Sequence, residues 1–211
     1  MIGEYTSETK PVFQSKADEM QSDIYFASEL ISEVYPSDLI GDYQEHNKKT
    51  VLQTLKVLQK TTSFQISEEN IKQGLQKVVK NTGLQGRWQQ LGANPKIICD
   101  TAHNEHGLKI AINQLKKEKF AELHIVLGMV NDKKPKDILP IFPKNAKYYF
   151  CKPIISRGLD ALVLQKEASE FGLEGKIYNS VSEAYAKAVD NASSDDFIYV
   201  GGSTFVVAEI L

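Results

Sequence analysis

The sequence predicts an α/β fold: a mainly parallel sheet with helices on both faces, preceded by the tail of a larger α/β domain. From Ala93 onward, short β-like runs alternate with amphipathic helical stripes. The connections between them are short, as in successive βα units. The residues before Ala93 carry long helical stripes but too few strands to close a sheet of their own. The expected division is therefore 1–92 and 93–211, at Gly92-Ala93-Asn94-Pro95.

Within the second part, Lys96–Cys99 reads as the first strand. Leu108, Ala111, Ile112 and Leu115 recur at helical spacing behind it. Leu123–Leu127 is the next strand, with a weak helical stretch from Pro135 to Leu139. Lys147–Phe150 follows, backed by a helix bearing Ala161, Leu164, Ala168 and Phe171. Lys176–Tyr178 is a short strand. Val181, Ala184, Tyr185, Ala188, Val189 and Ala192 then form the cleanest helical stripe, and Phe197–Val200 closes the series. In the first part, a helix is expected around Pro11–Met20, with proline near its first turn. A β-like Ile24–Ala27 and a helix over His46–Lys60 follow. A last helix, with Ser67 as its N-cap, runs through Ile71, Leu75, Val78 and Val79 and ends at Asn81-Thr82-Gly83.

Composition excludes several classes. Hydrophobic residues make up 42% and charged residues 25% of 211, with a formal net charge of −2. That balance gives neither a basic nucleic-acid footprint nor a polybasic membrane patch. The longest apolar runs are far short of a membrane span, and the polar start at Gly3-Glu4-Tyr5-Thr6 does not resemble a signal peptide. Cys99 and Cys151 form no CxxC pattern, so a reducing cytoplasmic setting is expected rather than a disulfide framework. No GxxxxGKS or GxxxxGKT P-loop, GxGxxG or GxSxG occurs.

Ligands of parallel sheets collect at the carboxyl ends of the strands, so the residues after each strand are the first candidates. The densest cluster is Asp100-Thr101-Ala102-His103-Asn104-Glu105-His106-Gly107, between the first strand and its helix. A strand-end aspartate can accept from a ribose, and a histidine beside a helix N-terminus can donate to a phosphate or carboxylate. Equally, Asp100, Thr101 or Asn104 can simply cap the helix. Asp100, His103 and His106 are also potential metal ligands, but the pattern is not HExxH and no second cluster complements it, so no metal site is assigned. Arg87, after Gly86, offers a planar fork for phosphate oxygens, or a surface arginine stacked on Trp88. Asn47 opens a helix after Leu39-Ile40-Gly41-Asp42-Tyr43-Gln44. Gly128–Lys134, Lys152 and Arg157, and Gly201-Gly202-Ser203-Thr204 follow later strands and are either ligand loops or plain turns.

Taken in order, these residues resemble the folylpolyglutamate synthase and dihydrofolate synthase family, relatives of the Mur cell-wall ligases. The matching segments are Ile2-Gly3-Glu4, Leu39-Ile40-Gly41-Asp42-Tyr43-Gln44…Asn47, Gly86-Arg87 and Asp100-Thr101-Ala102-His103-Asn104. Gly128…Asp132-Lys133, Arg157-Gly158-Leu159 and Gly202-Ser203 follow. The sequence departs from the pattern at Gly158, where the family has Ala, and at Ser203-Thr204-Phe205, where Ser-Leu-Tyr is usual. Thr101 stands where Gly is common, so the backbone there needs no glycine-only conformation.

The resemblance implies the C-terminal part of a magnesium- and ATP-dependent ligase that adds L-glutamate to folate or dihydropteroate through an acyl phosphate. It implies that 1–92 is the end of a central ATP-binding domain, and that the P-loop and Mg²⁺ ligands lie in a portion preceding this chain. By resemblance, Asn47 and Arg87 contact ATP from the first domain's side and Asp100 reaches the ribose from the second. His103 faces the phosphates or the incoming glutamate, and Ser203 lies near the amino-acid substrate. A monomer inactive by itself is expected. A Mur-type cell-wall amino-acid ligase and a non-catalytic α/β ligand-binding module are the alternatives.

Overall fold

The computed structural model describes residues 1–211 except Lys133, so that part of the Gly128–Lys134 loop lies outside the described residues. The chain forms two compact units, Met1–Gly83 and Leu84–Leu211. The division falls before the expected one, because the segment up to Ala93 supplies a strand to the second unit's sheet.

The first unit is helical: α1 (Thr9–Glu19), α2 (Ala27–Leu30), α3 (Gln44–Thr61), α4 (Glu68–Gln76) and α5 (Val78–Thr82). The expected strand Ile24–Ala27 is not a strand. It contributes one parallel bridge, Ile2 to Phe26, and the chain then turns into α2. Ser67 caps α4 as expected, in a reciprocal capping box with Asn70. The single helix expected from Ser67 to Gly83 is broken at Lys77. Asp38 accounts for the break: its carboxylate accepts the N–H of Val78 at 3.1 Å and of Val79 at 2.9 Å. Those donors are the orphans of a new helix start, so α5 begins afresh. Gly83, at φ 67°, then ends it in the left-handed region. Ile31, Leu52 and Leu75 form this unit's small core, with Val34, Tyr35 and Ile71 against it.

The second unit contains β1 (Gln89–Ala93), β2 (Lys96–Cys99), α6 (Glu105–Leu115), β3 (Leu123–Leu127), α7 (Pro135–Ile138) and β4 (Lys147–Phe150). They are followed by α8 (Ala161–Ser169), β5 (Gly175–Ile177), α9 (Val181–Asn191), β6 (Phe197–Gly201) and α10 (Thr204–Ala208). Its six strands are ordered β1-β2-β6-β3-β4-β5, with β1 antiparallel to β2 and the others parallel. Sequence periodicity misses β1, a polar edge strand whose register slips between Gln90 and Gly92.

Strand pleating sends alternate side chains to opposite faces. Ile98, Ile125, Leu127, Tyr148, Phe150, Phe197 and Tyr199 pack with α6, α7 and α8. Ile97, Cys99, Val126, Tyr149, Cys151, Ile198 and Val200 pack with α9 and α10. Right-handed crossovers explain the split. The chain runs β2 to β3 to β4 to β5 in one direction, placing α6 to α8 on one face. It returns through α9, on the other, to insert β6 between β2 and β3. Cys99 and Cys151 are free and buried, and burial pushes both thiols up to about 12. Among the described residues, no helix is long and apolar enough to cross a membrane.

Limited proteolysis is expected to cut first at the exposed Gly83-Leu84-Gln85 stretch and to spare the Ala93-Asn94 turn of the β1–β2 hairpin; mass spectrometry of the first stable fragment checks this. Asp38→Ala should cost about 1–2 kcal/mol by leaving two helix-start amides without their acceptor, read as faster hydrogen exchange at Val78 and Val79.

Candidate functional site

The connections after β2 and β3 leave toward one face, whereas β6 between them exits into α10 on the other. Such a reversal opens a crevice at the carboxyl ends of the strands. The loops Asp100–Asn104, Gly201–Ser203 and Gly128–Asp132 gather there.

Asp100 follows β2 directly, as expected of a strand-end aspartate, but its carboxylate does not face solvent. It is 1% exposed, and its oxygens accept the backbone N–H of Trp88 at 2.7 Å and of Ala102 at 2.8 Å. The carboxylate thus fastens the Gly86-Arg87-Trp88 segment to the turn that follows β2. Thr101 N–H closes the same junction by donating to the Gly86 carbonyl at 2.9 Å. The burial has a clear cause: an ionised carboxylate satisfies two backbone donors that would otherwise be stranded at a buried strand end.

Arg87 accordingly belongs to the second unit and not to the first domain's side. Gly86 at φ 71° and Trp88 at φ 50° flank it in left-handed conformations. The chain reverses around it, so Arg87 stays exposed while Trp88 enters the core against Tyr199. A Cβ on Gly86 would lie 2.7 Å from Thr101 Cγ2 and 3.0 Å from Val207 Cγ1, so both conformation and space call for glycine. Arg87 Nη1 donates to Thr101 Oγ1 at 2.9 Å. Among the described residues that is the one hydrogen bond of its guanidinium. Thr101, the departure from the family's glycine, thus steadies Arg87, and its φ is not positive.

His103 is exposed, two residues before α6, and its Nδ1 lies 3.0 Å from the Thr101 carbonyl. A carbonyl only accepts, so Nδ1 carries the proton and Nε2 is the nitrogen left for other chemistry. Asn104, not Asp100 or Thr101, is the helix cap, accepting from Gly107 N–H at 2.8 Å. Asp100, His103 and His106 do not come together as a ligand group among the described residues. Among the described residues, no group of three metal-ligating side chains lies at this end of the sheet.

Ser203 is 2% exposed and caps α10 by accepting from Phe205 N–H at 3.2 Å. Gly202, at φ 89°, precedes it. A Cβ there would meet Leu127 Cδ1 at 2.6 Å and the Gly128 carbonyl at 2.8 Å, so the ends of β6 and β3 run against each other. Sequence reasoning left the role of Arg157 open, and the structure gives it one. Its guanidinium pairs with Asp132 at 2.7 Å and lies 4.9 Å over the Phe205 ring. The backbones of Asn131 and Leu159 bond to Arg157 and Met129. Arg157 thereby ties the loops after β3, β4 and β6. Asn47 lies in the first unit, in the first turn of α3, exposed and donating to Gln44 Oε1 at 2.9 Å.

Comparison with known proteins agrees with this architecture. The family model "Mur ligase, glutamate ligase domain" matches residues 86–204. A probable bifunctional folylpolyglutamate synthase/dihydropteroate synthase of Haloferax volcanii is 30% identical over 172 residues, which is 81% of this chain and 20% of that protein. The structure of E. coli FolC in complex with DHPP and ADP superposes with a TM-score of 0.71 at 26% identity, covering 83% of this chain and 39% of that one. A bifunctional folylpolyglutamate synthase/dihydrofolate synthase with Mn, AMPPNP and L-glutamate bound gives a TM-score of 0.67 at 26% identity, covering 84% of this chain and 39% of the other. The chain therefore spans well under half the length of these relatives. With a match from Gly86 to Thr204 that covers the whole parallel sheet, this chain belongs to the Mur ligase family and carries its glutamate ligase domain.

Proposed function

We propose that this chain is the glutamate-accepting part of an ATP-dependent ligase that forms an amide between L-glutamate and a folate or dihydropteroate. The observation that carries the reading is Arg87, held by Thr101 at the carboxyl end of β2 with most of its fork uncommitted. Relatives whose structures hold ADP with DHPP, or AMPPNP with L-glutamate, support the same reading. The alternative of a plain ligand-binding module has no comparable support.

The reaction brings anions together: a carboxylate attacks the ATP γ-phosphate to give an acyl phosphate, and the glutamate amine then displaces phosphate. Cationic and N–H donors must offset that charge as it develops. Arg87 supplies a forked cation for the phosphate oxygens. His103, with Nδ1 committed to the Thr101 carbonyl, presents Nε2 as an acceptor for the proton of the attacking amine. Asp100 acts through position, because its carboxylate is spent on the backbone of Trp88 and Ala102. Ser203 likewise shapes the substrate end by capping α10. Asn47, on α3, is a candidate nucleotide contact on the resemblance alone. Mg²⁺ when bound supplies charge neutralisation of the triphosphate, from ligands outside the site described above. The buried free thiols suit a reducing cytoplasm.

The identity of the acceptor tests the proposal. A polypeptide containing these residues together with a P-loop should release phosphate in the presence of glutamate and either dihydropteroate or a reduced folate. Turnover with a cell-wall precursor alone would move the chain to the other branch of the family. The 211-residue chain by itself should release none, since it holds no P-loop.

In the active polypeptide, Arg87→Ala should lower kcat by about 100-fold or more with a small change in glutamate KM, as expected for charge met in the transition state. Asp100→Ala should instead destabilise the second unit by about 2–4 kcal/mol, through two lost charge-assisted bonds. Urea unfolding followed by the fluorescence of Trp88 separates these two outcomes.

A further inference from the structure

At the amino end of the sheet, opposite the ligase site, three side chains converge that the proposed reaction does not use. Glu122 immediately precedes β3, His124 lies on it, and Asp196 immediately precedes β6. Parallel register sets Leu123 beside Phe197 and His124 beside Ile198, so Glu122 and Asp196 fall side by side. Two bonds fix them there: Glu122 N–H donates to Asp196 Oδ1 at 2.9 Å, and Phe197 N–H donates to the Glu122 carbonyl at 2.9 Å. Ser193 N–H also donates to Asp196 Oδ2, at 2.7 Å.

His124 is fully buried, and its Nε2 has no hydrogen-bond partner among the described residues. That nitrogen faces Asp196 Oδ2 at 3.4 Å without the alignment of a hydrogen bond. A buried nitrogen left in this way is costly unless something else satisfies it. The separation is that of two neighbouring ligands on a tetrahedral ion with bonds of about 2.1 Å. Ligand atoms from all three residues lie within 4.8 Å of one another, and Glu122 is the exposed member of the three.

We propose that Glu122, His124 and Asp196 bind a divalent transition-metal ion that clamps the amino ends of β3 and β6. The other ring nitrogen supports the assignment. His124 Nδ1 lies 2.9 Å from the Tyr149 hydroxyl, which also accepts from Asn191 Nδ2 at 3.1 Å. With a metal on Nε2, Nδ1 carries the proton and donates to that oxygen, the outer-shell bond that orients metal-bound histidines. One imidazole with two carboxylates suits Zn²⁺ or Co²⁺, whereas Mg²⁺ and Ca²⁺ favour all-oxygen sites. Lys147 pairs with Glu122 from the exposed side and so competes with the ion.

Co²⁺ titration of the full chain, followed by visible absorption and calorimetry, tests the site. One ion per chain is expected, with the intense visible band of four-coordinate cobalt. The surface variant Glu122→Gln, which leaves the buried pair in place, should weaken binding about tenfold or more, and Lys147→Met should tighten it. The absence of that band overturns the proposal. So does cobalt binding that Glu122→Gln leaves unchanged, as an exposed pair such as His103 and His106 would give.

Discussion

The carboxylate of Asp100, buried at the end of β2, holds two segments that sequence alone leaves unrelated: the reversal around Arg87 and the turn leading into α6. A charged acceptor shared by two backbone donors in a dry setting is among the strongest local constraints a protein has. Gly86 turns in the left-handed region, Trp88 fills the core, and Thr101 donates its N–H to the Gly86 carbonyl while its hydroxyl accepts from the Arg87 fork. If the carboxylate is removed, each of these features loses its reference point. The exposed cation is therefore as well placed as the buried anion beneath it is satisfied.

The second constraint is topological. Because right-handed crossovers bring β6 back between β2 and β3, the polar loops converge at one end of the sheet and the apolar faces are covered on both sides. The convergence is tight. Gly202 has no room for a side chain against the end of β3, and Arg157 pins three loops through Asp132 and Phe205. Loops carried on short, cross-tied connections have little entropy left to lose when they order around a ligand.

The other end of the same central strands is polar for a different reason. A chain of contacts runs from Asn191 through Tyr149 and His124 to Asp196 in an otherwise apolar layer. Burial holds the His124 imidazole below its ordinary pKa, with Asp196 opposing that trend. The two ends thus share β3 and β6 but differ in exposure, so a change at one need not perturb the chemistry of the other.

Much of this protein was legible in its residues. The helical and strand periods from Lys96 onward match the observed elements to within one or two residues, with β5 one residue earlier and α8 ending before Phe171, because the helices bury an apolar stripe and the central strands bury apolar side chains on both faces. The Ser67 cap was legible because a capping box is a local interaction. Motif order named Arg87, Asp100, His103 and Ser203 as candidates. Other features were decided only by tertiary contacts. β1 is polar and gains its strand character from pairing with β2. The break at Lys77 comes from Asp38, remote in sequence. Asp100 reads as an exposed strand-end acid until its partners, Trp88 and Ala102, are seen to close over it. Sequence fixes which groups are available and their local period. Whether a carboxylate faces water or backbone depends on donors delivered by other segments, and that delivery is a property of the packed chain.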